Sequence, residues 1–125
     1  YENGGESTFK DWLKDGANIT IINKLNDLPN SAKYKIFDLC HATPTFDSFL
    51  SDKEEEILWD RGHLFSEWGA GRILIHGHTP TIFMGSKDAL GMIYCNGSKI
   101  NLDCASYKSH ITAIYNLDKQ ELINI

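Results

Sequence analysis

Cysteine and proline are both scarce in this 125-residue chain, with three of each, and no two cysteines form a Cys-x-x-Cys pair. That excludes a disulfide-framed mini-protein and a zinc ribbon. Cys40, Cys95 and Cys104 lie in or beside apolar stretches and read as reduced, buried thiols. No apolar run approaches the roughly 20 residues of a membrane-spanning helix, and no charged segment followed by an apolar one opens the chain. Positive charge is also short. Twelve Lys and Arg stand against seventeen Asp and Glu, for a net charge of -5, and the lysines are scattered. No basic face is available to follow a nucleic-acid backbone or an anionic membrane. The expectation is a cytoplasmic protein with neither nucleic acid nor membrane as partner. Internal repeats, linkers and low-complexity tracts are likewise missing.

What is there is ordinary globular composition, 42% hydrophobic with ten glycines. A chain of this length forms one domain, residues 1–125, and folding buries roughly two-thirds of its unfolded surface. Its organising stretch is Arg72-Ile73-Leu74-Ile75-His76-Gly77-His78-Thr79-Pro80. Three aliphatic residues read as a short strand buried on both faces, stopped by Gly77 and Pro80. A buried strand holds whatever follows it in place, and neutral imidazole is a common ligand of zinc, iron and manganese. Extended alternation places His76 and His78 on one face, whereas a turn at Gly77 aims them apart. Gly77 itself suits a close approach of backbone to a ligand. His-x-His alone is short and common, and one packed plus one exposed imidazole is the plain structural alternative.

In chain order, Ser7 followed by Phe9, Trp12 and Leu13 predicts an N-capped helix ending near Gly16. Ile21, Ile22, Leu25 and Leu28 predict a second helix, closed by Pro29-Asn30-Ser31. Tyr34 to Cys40 reads as one strand that delivers His41 before a Thr43-Pro44 turn, repeating the pattern of the central stretch. Two strands of one sheet would then present imidazoles at the same edge. Thr45 to Asp52 reads as loop, and Asp52 to Trp59 as a helix whose Glu54, Glu55 and Glu56 form a solvated face. A further helical turn is expected through Leu64, Phe65 and Trp68. Three β-like runs follow, Met92–Cys95, Lys99–Leu102 and His110–Leu117, with Asn96-Gly97 as a type I′ hairpin signal between the first two. A last hairpin turns into Glu121–Ile125.

Taken together, Cys40-His41-Ala42-Thr43-Pro44, Leu58-Trp59-Asp60-Arg61, His76-Gly77-His78-Thr79-Pro80 and Ile100-Asn101-Leu102-Asp103 resemble the C-terminal half of calcineurin-like metallophosphoesterases. The bacterial and phage serine/threonine phosphoprotein phosphatase branch is the most similar, and Asn3-Gly4-Gly5-Glu6-Ser7-Thr8 resembles the Asn-Gly-Gly-x-x-Thr segment found there. The resemblance implies an α/β fold, the C-terminal half of that family's sandwich, with a mixed β-sheet flanked by helices. It implies that His41 and His78 are ligands of one of two divalent ions (Mn, Fe or Zn) and that Arg61 binds the substrate phosphate. His76 is expected to pack or to support, and His63 and His110 to be surface or core residues. Asp60-Arg61-Gly62 mimics a metal motif of the family out of place and reads as coincidence.

The Gly-Asp-x-His, Gly-Asp-x-x-Asp-Arg-Gly and Gly-Asn-His-Glu motifs, which carry the family's other ligands and its catalytic histidine, do not occur here. Cys104-Ala105-Ser106-Tyr107-Lys108-Ser109 also departs from the family's glycine-rich continuation. The expectation is therefore a fragment with no general acid of its own, weak in metal binding and inactive alone. Its intact enzyme would hydrolyse a phosphoprotein or small phosphoester. Alternatives are a dinucleoside polyphosphate hydrolase of the same fold and a non-catalytic interaction module. A half-sheet with an exposed apolar face is expected to self-associate.

Overall fold

The computed structural model describes residues 6–16, 19–85 and 90–124. Asn3-Gly4-Gly5 and residues 86–89 lie outside them. The elements are α1 (Glu6–Lys14), α2 (Ile19–Asn26), β1 (Ser31–Tyr34), β2 (Phe37–Cys40), α3 (Phe46–Leu50), α4 (Glu54–Trp59), β3 (Ile73–His76), β4 (Tyr94–Cys95), β5 (Lys99–Asn101), α5 (Ser106–Ser109), β6 (Ala113–Asn116) and β7 (Glu121–Asn124). The chain is α/β, with a mixed five-stranded sheet in the order β1-β2-β3-β5-β4 and a separate β6-β7 hairpin.

β3 sits in the middle, parallel to β2 on one side and to β5 on the other. This is the position its unbroken aliphatic run requires, since a central parallel strand is covered on both faces. On one face Ile75 packs with Phe37 and Ile100, joined by Leu39, Ile73, Leu102 and, from the hairpin, Tyr115. On the other, Leu74 packs with Phe49 of α3 and Trp68. Burying Leu74 alone is worth about 1.5–3 kcal/mol.

Asp38 lies in β2, fully buried on the Leu74 side. Its carboxylate accepts from the Trp68 indole at 2.9 Å and from Arg72 Nε and Nη2 at 2.8–3.0 Å. Arg72 also donates to the carbonyls of Lys35 and Phe37. The β1-β2 turn, β2, the start of β3 and Trp68 thus meet at one Asp38–Arg72 ion pair.

Several local expectations are corrected. Tyr34 to Cys40 is not one strand: Lys35 takes a left-handed conformation (φ 52°) and the chain doubles back as the β1-β2 hairpin. The lysine and tyrosine beside the turn both bond Asp118, which favours closure. Thr45 to Asp52 is not loop, because the Thr45 hydroxyl accepts from the Ser48 amide at 3.1 Å and caps α3. The stretch through Leu64 and Phe65 makes turns and no helix, and Ser7 lies inside α1, one residue past its start. The β4-β5 register pairs Cys95 with Ile100, so the two-residue loop is Gly97-Ser98, one position later than expected. Gly97 supplies the positive φ (87°), while the Asn96 side chain accepts from the Lys99 amide. Cys95 is exposed, unlike Cys104.

Removing the donor while keeping a ring tests the Asp38 cluster. Trp68→Phe leaves a buried carboxylate short of one partner and is expected to lower unfolding stability by about 1–3 kcal/mol in a urea titration. Arg72→Met is expected to cost more, because the carboxylate then loses its counter-charge.

Candidate metal centre

Parallel strands bring their carboxyl ends to one edge, and ligands in open α/β sheets sit beyond that edge. His41 follows β2, His78 follows β3 by two residues, and Asp103 follows β5 by two. Backbone hydrogen bonds tie these loops together. Gly77 N–H donates to the His41 carbonyl (2.9 Å), Leu102 N–H to that of His76 (2.9 Å) and Thr81 N–H to that of Asp103 (2.9 Å). The fully buried Asn101 adds its side-chain amide, which donates to the Thr79 carbonyl at 2.8 Å, while its oxygen accepts from Asp103 N–H at 2.9 Å. The His41 loop is tied in turn to α4, through Ala42 N–H to the Ile57 carbonyl and Thr43 N–H and hydroxyl to that of Asp60.

Within this frame the three residues singled out from the sequence come together. His78 Nδ1 lies 3.1 Å from His41 Nε2, and Arg61 Nε donates to His78 Nε2 at 3.1 Å. The Trp59 indole meets the His78 ring edge-on at 5.7 Å between centroids. A guanidinium has no acceptor, so His78 Nε2 carries the lone pair, its Nδ1 carries the proton, and that proton is donated to His41 Nε2. Burial, then the charges of Arg61 and His41, hold the His78 pKa below its ordinary value, against the Trp59 carbonyl and Asp103.

The turn aims the two histidines apart. His76 is buried, its Nδ1 facing the Gly77 carbonyl at 3.2 Å, which only accepts, so Nδ1 donates. Its Nε2 is a buried lone pair without a hydrogen-bond partner among the described residues. Burial lowers the His76 pKa to about 4. The turn needs no glycine-only conformation at Gly77. A Cβ there would meet Asp103 Cβ at 3.7 Å, an ordinary contact, and the positive φ falls on His78 (66°). Strain of this kind in a residue other than glycine persists where surrounding contacts impose it.

Arg61 is not paired with Asp60. That carboxylate accepts from Gly62 N–H (2.6 Å) and the His63 ring (2.7 Å), shaping the turn that presents the arginine. Beneath the turn, Lys99 is almost fully buried, its ammonium bonded to the His63 carbonyl and the Ser66 hydroxyl and 5.8 Å from the Trp68 ring centroid. Burial lowers its pKa. Sequence reasoning gave Lys99 no role, because a lysine in a strand normally marks an exposed position. Asn101 and Asp103 were visible only as a strand-ending Asn-x-Asp.

A cleft of about 550 Å³ opens at this edge, with Leu39, Ile75 and Leu102 as apolar wall and His41, His78 and Asp103 at its polar side. Two nitrogens each about 2.1 Å from one ion, at tetrahedral or octahedral angles, stand about 3.0–3.4 Å apart, and the His41-His78 separation matches. No group of three His, Cys, Asp or Glu side chains able to hold a metal occurs among the described residues. Likewise, no helix among them is long and apolar enough to cross a membrane. Compared with known proteins, the chain matches no family model, no curated protein and no solved structure.

Two outcomes test the local geometry. His78→Gly and His78→Ala both lose the imidazole, but glycine relieves the left-handed backbone, so His78→Gly is expected to be the more stable by about 1–2 kcal/mol in thermal unfolding; Gly77→Ala should change little. His76, buried neutral, takes up a proton more readily when unfolded. Stability is therefore expected to fall as pH drops from about 6.5 toward 4, by up to about 1.4 kcal/mol per unit, and His76→Gln should flatten that slope.

Proposed function

We propose that this chain supplies one metal-holding, phosphate-facing portion of a two-metal phosphoesterase of the calcineurin-like class, acting on phosphomonoesters such as those of phosphoproteins. The observation that carries the reading is the convergence of His41 Nε2, His78 Nδ1 and Arg61 within successive 3.1 Å contacts at the carboxyl edge of the parallel strands. The four ordered segments that resemble the family agree with it.

His41 and His78 fit as two neighbouring imidazole ligands of one ion, and the burial that keeps His78 neutral preserves its lone pair. The remaining ligands, the general acid and the bridging carboxylate come from residues outside this chain in our reading. When bound, such an ion pair lowers the pKa of a bridging water and stabilises charge on the phosphoryl oxygens. Arg61 offers a planar fork that can take two phosphate oxygens. Lys99 and Asp60 hold the turn that carries it. Trp59 shields one edge of His78 from solvent.

The incomplete donor set among the described residues favours one other reading, a non-catalytic interaction module that kept the sheet and lost the chemistry. Exposed apolar side chains on α1 and α2, among them Leu13, Ile19 and Leu25, support self-association as part of either reading.

Zinc titration followed through the histidine ring resonances tests the metal site. His41→Ala and His78→Ala are each expected to weaken binding by at least about tenfold, and binding untouched by both variants defeats the proposal. Alone, the chain is expected to release no phosphate from an aryl phosphate with manganese present. Joined to a segment bearing the aspartate motifs it should do so, and failure there leaves the interaction module as the better account.

A further inference from the structure

We infer that Arg61 and a divalent ion compete for the His78 imidazole, so that taking up the ion releases the guanidinium to meet phosphate. This deepens the phosphoesterase reading and rests on it. Its basis is the donor and acceptor count of three side chains. Arg61 stays protonated at any ordinary pH and its Nε can only donate. The 3.1 Å contact therefore uses the single lone pair of a neutral His78, at Nε2. The other ring nitrogen is spent as well, because Nδ1 must carry the proton that it donates to His41 Nε2 at 3.1 Å. Donation runs in one direction, from Arg61 to His78 to His41, and His41 Nε2 is the acceptor at its end.

An ion can enter this arrangement in two ways. If it binds His78 at Nε2, it takes the lone pair that Arg61 occupies. If it binds between His78 Nδ1 and His41 Nε2, whose separation suits one ion, the Nδ1 proton must leave that position. A neutral His78 then carries its proton at Nε2, where Arg61 Nε–H would oppose another N–H. Both routes break the Arg61 hydrogen bond, and a second cation beside the guanidinium adds repulsion to the exchange.

The consequence is a coupling. A phosphate recruits Arg61 away from His78 and so favours the ion, and the ion frees Arg61 and so favours phosphate, by the same factor in each direction. The latch also keeps two imidazoles and an arginine partnered in the absence of the ion, at a site where Arg61 itself is exposed. Because it is exposed, replacing it is compatible with folding.

The test titrates zinc alone into the full chain and into Arg61→Met, with His41→Ala as reference, and follows the ring ¹⁵N shifts of His41 and His78 and the Nε–H signal of Arg61. Before zinc, His78 in the parent chain is expected to show a protonated Nδ1 and a bare Nε2. Arg61→Met is expected to bind zinc about tenfold more tightly, the equivalent of one hydrogen bond from a charged donor, and the Arg61 Nε–H signal should shift as zinc fills the parent site. Loss of a positive charge alone would tighten binding without requiring that starting tautomer. A His78 already protonated at Nε2, or a zinc affinity unchanged or weakened in Arg61→Met while His41→Ala still loses binding, overturns the latch and leaves the metal site standing. Zinc binding indifferent to His41→Ala overturns both.

Discussion

A carboxylate with no solvent exposure, set in the middle of a parallel strand, constrains everything around it. Asp38 is such a group, and an unpaired charge there would be prohibitive. It is tolerated because Arg72 meets it through two nitrogens and the Trp68 indole supplies a third donor. Each partner is then committed. Arg72 reaches back to the Lys35 and Phe37 carbonyls and fixes the turn between β1 and β2. Trp68, held by its N–H, offers its ring edge to Phe46 and Phe49 of α3. The packing is close enough that a Cβ on Gly69 would stand 2.7 Å from the Phe46 ring. One ion pair therefore aligns two parallel strands and the helix that covers them.

The candidate site inherits its geometry from that alignment. With β2, β3 and β5 in register, His41, His78 and Asp103 emerge at one edge, and main-chain hydrogen bonds between their loops leave little freedom. His78 is driven into the left-handed region by these ties, with Asn101 holding the carbonyl that follows it. The Arg61 turn is supported from below by a buried lysine whose ammonium is satisfied by His63 and Ser66. Buried polar side chains at the ends of β3 and β5 thus serve the loops and contribute little to the apolar core.

Much of this could be read in the residues in order. Ile73, Leu74 and Ile75 announced a central strand, and two strand-to-histidine passages ending in Thr-Pro announced a shared edge. The acidic start of α4 and the terminal hairpin followed from local composition. What could not be read were features set by partners distant in sequence. Tyr34 to Cys40 has the composition of one strand, and it folds back because Lys35 and Tyr34 meet Asp118 and Arg72 meets the turn carbonyls. Thr45 is a cap by virtue of one hydrogen bond to Ser48, a local signal that the surrounding Pro44 and Asp52 obscured. Lys99 belongs to a buried strand because another segment offers it two oxygens, and the lysine itself carries no sign of that.

The order of residues by itself determined the α/β class, the aliphatic centre of the sheet and the identity of the side chains at its edge, because each depends on periodicity and on residues within a few positions. Only the tertiary structure decided that His41 and His78 stand 3.1 Å apart, that Arg61 points at an imidazole and not at Asp60, and that His76 is buried with its Nδ1 turned to the Gly77 carbonyl. Those outcomes depend on contacts between segments 17 to 37 residues apart in the chain. Those segments meet at the edge of strands that the Asp38–Arg72 pair holds side by side.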